Sequence, residues 1–392
     1  MTSARLGRRA RWLGVAAGVV VVLIAAISGG LALLDGDEQS RGVGPAGTSS
    51  DAPFAGLDAV PPPPGGTALP RPGVWTGREL LFVGGNEEAG TTIAVGFDID
   101  SRTWRTLAAP PMVLGGDTAA VWTGTELLVC CGLGTHGVGV GSAAAYDPSS
   151  DSWRELPAPP VSSYAWAVWT GDRMYLTDAE FAFTSFDPVS SQWRSEPDFN
   201  YPNYGFTQLI WTGNEIIEWP TPPQRTTWEG ESFDPAHGRW TPLPPPPQES
   251  RPAIAEVVLV DHSIVILGGL PANQANESER FVAARLDLAS REWTPLPDPL
   301  PEPFSGEGNL GSHTALWTGS DLLVHVGALA SGLSPDGALL ALDPTTNTWT
   351  VLGDTGRTAL TPIALAGDRV LFEVIGSDNS GNFYLSEPGW RP

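Results

Sequence analysis

The chain has 392 residues and a formal net charge of −23, with 44 acidic residues against 21 basic ones, all of them Arg. Acidity on this scale repels nucleic acid and other anionic polymers, so the electrostatic footprint of a nucleic-acid binder is absent. Richness in Ala, Gly and Pro, with Arg and no Lys, hints at a high-GC bacterial genome.

Residues 12–34 carry no charge. As a helix rising ~1.5 Å per residue they span a ~30 Å hydrocarbon core. Arg5, Arg8, Arg9 and Arg11 precede the stretch, and Asp35, Asp37 and Glu38 follow it. That bias keeps residues 1–11 in the cytoplasm and places the rest outside the membrane. The competing reading is a cleaved signal peptide, with Ala26-Ile27-Ser28 as the small-residue cleavage site, which leaves the protein secreted. The apolar run continues past that site and favours an uncleaved anchor. Arg8-Arg9 also raises a twin-arginine signal, but Arg11 stands where an apolar residue is usual. Residues 35–53, rich in Gly, Ser, Asp and Pro, read as a flexible tether.

From residue 54 to 392 the sequence repeats itself. Asp is followed at a fixed spacing by Trp in Asp98/Trp104, Asp147/Trp153, Asp187/Trp193, Asp234/Trp240, Asp287/Trp293 and Asp343/Trp349. A second motif, Trp-Thr-Gly, recurs at Trp75, Trp122, Trp169, Trp211 and Trp317. Successive Trp of the first set lie 40 to 56 residues apart, the period of a repeat architecture. Apolar runs within one unit have strand length. Thr123-Gly124 joins the first two strands of the second unit, where Gly supplies positive φ. Asp147-Pro148 joins the last two, with Asp bonding the backbone ahead and Pro preset for a type I turn. One unit is therefore a four-stranded antiparallel meander, strands a to d. Strand b is apolar at consecutive positions, as in Leu80-Leu-Phe-Val83 and Ile264-Val-Ile-Leu267, which requires cover on both faces. Radial stacking of sheets gives that cover, with the strand-d Trp filling the space between neighbours.

These motifs resemble the kelch family. Strand b ends in a Gly pair at Gly84-Gly85 and Gly268-Gly269. Aromatic-Asp pairs follow at Phe97-Asp98, Tyr146-Asp147, Phe186-Asp187 and Phe233-Asp234, and then Trp. The resemblance implies an all-β propeller like the central domain of galactose oxidase. Other Gly pairs are replaced, for example by Cys131-Gly132 and Thr177-Asp178. The a–b hairpins number seven, counting Val257–Leu267 and Ile363–Phe372, so seven blades are expected, with six as the alternative. Trp390 keeps the Trp register, but Pro392 ends the sequence before a strand d can extend. Leu57-Asp-Ala-Val60-Pro61 overlays Trp240-Thr-Pro-Leu243-Pro244, so the segment after residue 54 is expected to supply that outer strand.

The fold leaves function open. A galactose oxidase-like copper site needs His ligands, two Tyr and a Cys–Tyr crosslink. Cys130 and Cys131 are adjacent on one strand, and His136, His237, His262, His313 and His325 are scattered singly, so no cofactor and no metal are expected. Cys130-Cys131 reads either as two small buried thiols or as a vicinal disulfide, which some quinone-dependent propeller dehydrogenases carry beside the cofactor. Ser334-Pro-Asp336-Gly337 is a sialidase-box fragment lacking its Trp. Asp378-Asn-Ser-Gly-Asn382 lacks the alternating acids of a calcium loop. Glu87-Glu88 and Glu229/Glu231 read as solvated loop acids. The b–c and d–a loops vary in length and share one end of the blades, where recognition is expected. Tyr164, Trp166, Tyr204, Arg251, His313 and Arg357 stand there as ligand-binding candidates, and each also has a plain reading as blade packing or turn support. The sequence thus points to a membrane-anchored binding scaffold for protein or glycan. The alternative is a carbohydrate-active hydrolase, lyase or epimerase at the channel mouth. With an uncleaved anchor, the mature protein begins near Met1 and stays with membranes through a high-salt wash; a mature terminus mapped near Gly29 would show cleavage instead.

Overall fold

The computed structural model describes residues 55–391 apart from positions 66–68, 71–72, 87–90, 113, 115–117, 133–140, 161–164, 179–181, 201–205, 222–227, 253–255, 271–279, 299–308, 330–337, 355–358 and 376–380. The expected anchor at 12–34 lies outside these residues. Among the described ones no helix is long and apolar enough to cross a membrane.

The described residues form seven four-stranded antiparallel sheets. Strand β1 (Leu57–Val60) comes first in the chain. Blade one is β2 (Val74–Trp75), β3 (Glu79–Asn86), β4 (Thr91–Asp98) and β5 (Thr103–Thr106). Blade two is β6 (Ala119–Trp122), β7 (Leu127–Cys130), β8 (Ala143–Asp147) and β9 (Ser152–Leu156). Blade three is β10 (Ala165–Trp169), β11 (Met174–Asp178), β12 (Phe183–Asp187) and β13 (Gln192–Ser195). Blade four is β14 (Phe206–Trp211), β15 (Ile216–Thr221), β16 (Glu231–Asp234) and β17 (Arg239–Pro242). One 3-10 turn, Gln248–Ser250, precedes blade five. That blade is β18 (Glu256–Val260), β19 (Ser263–Leu270), β20 (Arg280–Asp287) and β21 (Glu292–Pro295). Blade six is β22 (Asn309–Trp317), β23 (Leu322–Leu329), β24 (Ala338–Asp343) and β25 (Thr348–Asp354). Blade seven combines β26 (Ala359–Ala366), β27 (Arg369–Ile375) and β28 (Gly381–Ser386) with β1. The innermost strands β2, β6, β10, β14, β18, β22 and β26 touch in sequence, and β26 touches β2, which closes the ring.

The two tight turns repeat almost atom for atom. In the a–b turn of blade two, Thr123 Oγ1 accepts from Glu126 N at 2.9 Å and donates to Glu126 O at 3.0 Å. Gly124 takes φ 101°, a conformation that strains any side chain. Thr76, Thr212 and Thr318 make the same pair of bonds in their own blades. At the c–d turns Asp98, Asp187, Asp234, Asp287 and Asp343 each accept two backbone N–H groups, and Asp147 accepts Ser149 N. Bonding to the ionised form holds each of these carboxyls below its ordinary range.

Seven apolar clusters fill the seven spaces between neighbouring blades. Strand b contributes to both of its flanking clusters by alternation: Leu128 and Cys130 face blade three, and Leu127 and Val129 face blade one. This accounts for its unbroken apolar run. The strand-d Trp sits where the sequence placed it. Trp104, Trp153, Trp193, Trp240, Trp293 and Trp349 pack toward the preceding blade. They donate Nε1–H at 2.7–3.0 Å to the carbonyls of Pro61, Ala108, Pro157, Pro197, Pro244 and Pro297 respectively.

Blade seven closes as expected. β1 pairs antiparallel with β28, from Leu57 opposite Ser386 to Val60 opposite Phe383. Leu57 enters the cluster shared with blade six and Val60 the cluster shared with blade one, so this one strand seals two seams. Trp390 donates to Ala55 O at 3.2 Å. Deleting residues 55–64 should cost several kcal/mol, given ~1.5–3 kcal/mol for each large apolar side chain returned to water. Chemical denaturation of the deleted chain beside the intact one checks this, and an unchanged midpoint would mean that blade seven closes without β1.

Candidate functional site

The two mouths of the ring differ in chemistry. At the mouth carrying the a–b and c–d turns, polar groups are consumed by one another. Arg105 clasps Glu79 through Nε at 2.9 Å and Nη2 at 2.8 Å, and reaches Asp151 at 3.3 Å. Tyr146 donates its hydroxyl to the same Asp151 at 2.6 Å. Burial first, and this bond second, push the Tyr146 phenol up. Arg154–Glu126 at 2.8 Å, Arg291–Glu215 at 2.9 Å and His237–Asp234 at 2.6 Å continue the pattern.

At the other mouth, strand a begins. Ala119, Trp166, Gln208, Glu256, Thr314 and Thr361 stand opposite Cys130, Thr177, Trp219, Leu267, His325 and Glu373 on their b strands, so they form one register around the axis. Ala119 and Thr361 are buried, whereas Trp166, Gln208, Glu256 and Thr314 keep part of their surface. Gln208 is pinned, because its Oε1 accepts Val257 N at 3.1 Å. Its amide also bonds the Glu256 carboxyl. Burial pushes the Glu256 pKa up to about 7, and the Gln208 bond opposes that rise.

A fully buried polar layer lies behind this rim in blade four. Glu218 on β15 and Glu231 on β16 are direct cross-strand partners, and neither has exposed surface. Thr207 Oγ1 donates to Glu218 Oε1 and lies 3.1 Å from Trp219 O. Asn200 N donates to Glu231 Oε2 at 3.0 Å. The expectation of a solvated Glu229/Glu231 pair is therefore wrong for Glu231. Strand β16 resumes at that residue, and alternation turns its side chain to the buried face shared with Phe233.

The sequence candidates separate in the structure. Trp166 packs into the cluster between blades three and four while standing in the rim register. Arg251 donates Nε–H to Pro246 O at 2.9 Å and so braces the connection into blade five. His313 lies in β22 opposite Val326. Tyr164, Tyr204 and Arg357 lie outside the described residues, as do Glu87-Glu88. Cys130 and Cys131 are free and buried. Burial, then the neighbouring Cys131, raises the Cys130 thiol well above its ordinary value, and Cys131 takes φ 66°.

Sequence reasoning missed Gln208, Glu256, Glu218 and Thr207. A usable signal existed for two of them. Ile216-Ile-Glu218-Trp places an acid at a strand-b position that is apolar in the other units, and Glu256 occupies the rim register once blade five is aligned by its hairpin rather than by the missing Trp-Thr-Gly.

No family model matches the chain. A curated protein of Aspergillus terreus, "Kelch-like protein terF", is 33% identical over 86 residues, which cover 21% of this chain and 19% of that protein. The chain thus spans about a fifth of the length of that relative. A solved structure titled as a novel fungal alcohol oxidase of the AA5 family in complex with copper aligns with TM-score 0.58 and 13% identity, covering 85% of this chain and 75% of that one. A structure titled as that of YjhT aligns with TM-score 0.51 and 15% identity over 76% of this chain and all of that one. Among the described residues no three His, Cys, Asp or Glu gather as a metal site, His237 is paired at the opposite mouth, and both thiols lie buried on one edge of blade two.

Replacing Thr207 by Val should leave its partners Glu218 and Trp219 O short of a buried donor. The expected cost is about 1–3 kcal/mol in denaturant unfolding, and Thr207→Ser should restore most of it. Equal stability of the Val variant would show that the hydroxyl contributes nothing to this layer.

Proposed function

We propose, from the premise that the chain is a kelch-repeat β-propeller, that it is a binding scaffold engaging a protein partner through the mouth where strand a begins. Glycan is the other ligand class in view. The observation carrying this reading is the asymmetry of the mouths. Ion pairs between partly exposed arginines and acids line one end, whereas an indole, an amide, a carboxyl and a hydroxyl, on Trp166, Gln208, Glu256 and Thr314, share one partly open register at the other. Aromatic and amide groups held on rigid strands suit recognition, since little side-chain freedom remains to be lost on binding. The loops flanking this mouth vary in length between blades, which lets one scaffold carry a specific surface.

In this proposal the propeller works outside the cytoplasm, tethered through residues 12–34 by way of the 35–53 segment. The support is the charge-free stretch, its preceding arginines and its following acids. Secretion after cleavage is the alternative.

One observation favours a second reading. A carboxyl with a pKa of about 7 can both give and take a proton near neutrality, as a carbohydrate-active enzyme requires. Such chemistry needs a second acid or base across the substrate, and the described part of the rim brings Glu256 a neutral amide instead. Binding is the reading preferred here.

The test compares variants of the full chain against a partner first captured by crosslinking in membranes and then purified. Tyr164→Ala, Tyr204→Ala and Arg251→Ala address the proposed mouth, and Arg239→Glu addresses the opposite one. At least one of the first three should weaken affinity by more than ~1 kcal/mol, roughly fivefold, with Arg239→Glu near neutral. If only Arg239→Glu weakens binding, the chosen mouth is the wrong one.

A further inference from the structure

Among the described residues of the rim, Glu256 is an ionisable group whose surroundings do not suit its own charge. Glu256 opens β18, keeps part of its surface, and has the Gln208 amide as a polar partner rather than a cation. That amide is not free to turn away, because its oxygen is held by Val257 N at 3.1 Å. With its oxygen so held, Gln208 has its amide nitrogen left to serve as the donor to the Glu256 carboxyl.

Strands β14, β15, β19 and β22 pack against β18. β14 carries no titratable side chain, and neither does β19. Glu218 of β15 pairs in register with Leu209, on the face turned to blade three, away from β18. β22 contains His313, at the position opposite Val326. Arg251, upstream of β18, commits its Nε–H to Pro246 O at 2.9 Å. Trp166 occupies the equivalent register position two blades away and adds an aromatic surface to the same rim.

We propose that Glu256, oriented by Gln208, is the acceptor for a cationic side chain of the partner, an arginine guanidinium or a lysine ammonium, that enters the ring at this mouth. This rests on the binding reading above and specifies its chemistry. A charge-assisted bond at a partly desolvated carboxylate is stronger than one in open water. It also restores to the ionised form the stabilisation that burial removes. The chain's net charge of −23 draws cations toward it over longer range.

A proton linkage follows. The free carboxyl titrates near 7, raised by burial, so it is mainly protonated at pH 6 and mainly ionised at pH 8. A cation binds the ionised form, so binding releases a proton, and affinity rises with pH through this window. With a free pKa of about 7 the ionised fraction grows about tenfold between those two values, and the apparent Kd falls by the same factor.

The probe is N-acetylargininamide, with N-acetyllysinamide beside it and N-acetylglutaminamide as the neutral control. Binding to the full chain in a non-ionic detergent is read by chemical-shift titration at pH 6 and pH 8. Either cationic probe should bind about tenfold more tightly at pH 8, the neutral probe should not, and Glu256→Gln should abolish both the affinity and the pH step. Gln208→Met removes the donor to Glu256 and should move the step to higher pH. Circular dichroism of each variant confirms that the fold persists. Affinity that is independent of pH, or unchanged in Glu256→Gln, overturns the proposal. Its failure is separable from that of the binding reading, because the Tyr164, Tyr204 and Arg251 variants are scored against the captured partner at a single pH.

Discussion

One bond made six times holds this ring to its geometry: the indole N–H of a strand-d Trp reaching the carbonyl just past the outer strand of the preceding blade. The indole buries a large apolar face between two sheets and still satisfies its single donor. Sheets that touch only through apolar side chains can slide, since hydrophobic contact is non-directional. A hydrogen bond from a rigid two-ring side chain fixes the offset of one blade against the next. In five of the six cases the acceptor carbonyl belongs to a Pro, whose missing N–H leaves no backbone donor to satisfy at that exposed edge.

That fastening lies on the outer strands, so the inner strands, which still pack apolar side chains into the seams, can carry polar groups where strand a begins. Blade four shows the consequence: Thr207 and Glu218 spend polar groups in a buried layer, and Gln208 spends its amide on the neighbouring strand and on Glu256. The opposite mouth lacks that freedom. Thr123 and Asp287, like their counterparts, close turns there, and Arg105 and Arg154 pair with acids at strand ends.

The sequence made the scaffold readable because each motif serves a local need that recurs. Asp98 and its counterparts must cap a c–d turn, and the Trp that follows each must reach the previous blade. The closing role of Leu57–Val60 was readable from its overlay on Trp240–Leu243, an outer strand followed by prolines. The site was not readable in the same way. Glu256 belongs to a blade whose hairpin turns on Asp261-His262 and carries no Trp-Thr-Gly, so its register shows only in the pairing with Leu267. Glu231 follows a loop of irregular length, and nothing local marks where β16 begins. Gln208 matters through Val257 N, 49 residues away, a contact that no local pattern announces.

Blade seven joins the first strand of the propeller to the last, with Leu57 opposite Ser386. A chain delivered from its N-terminus presents β1 early and must hold it unmatched while six complete blades take shape. The edge waits as an open template for strand addition until β28 arrives. Completion is then a single late event, reached only once β28 has followed the six other blades. A chain truncated before β28 would carry six formed sheets and an incomplete seventh, with two apolar seams open to proteases and to other strands.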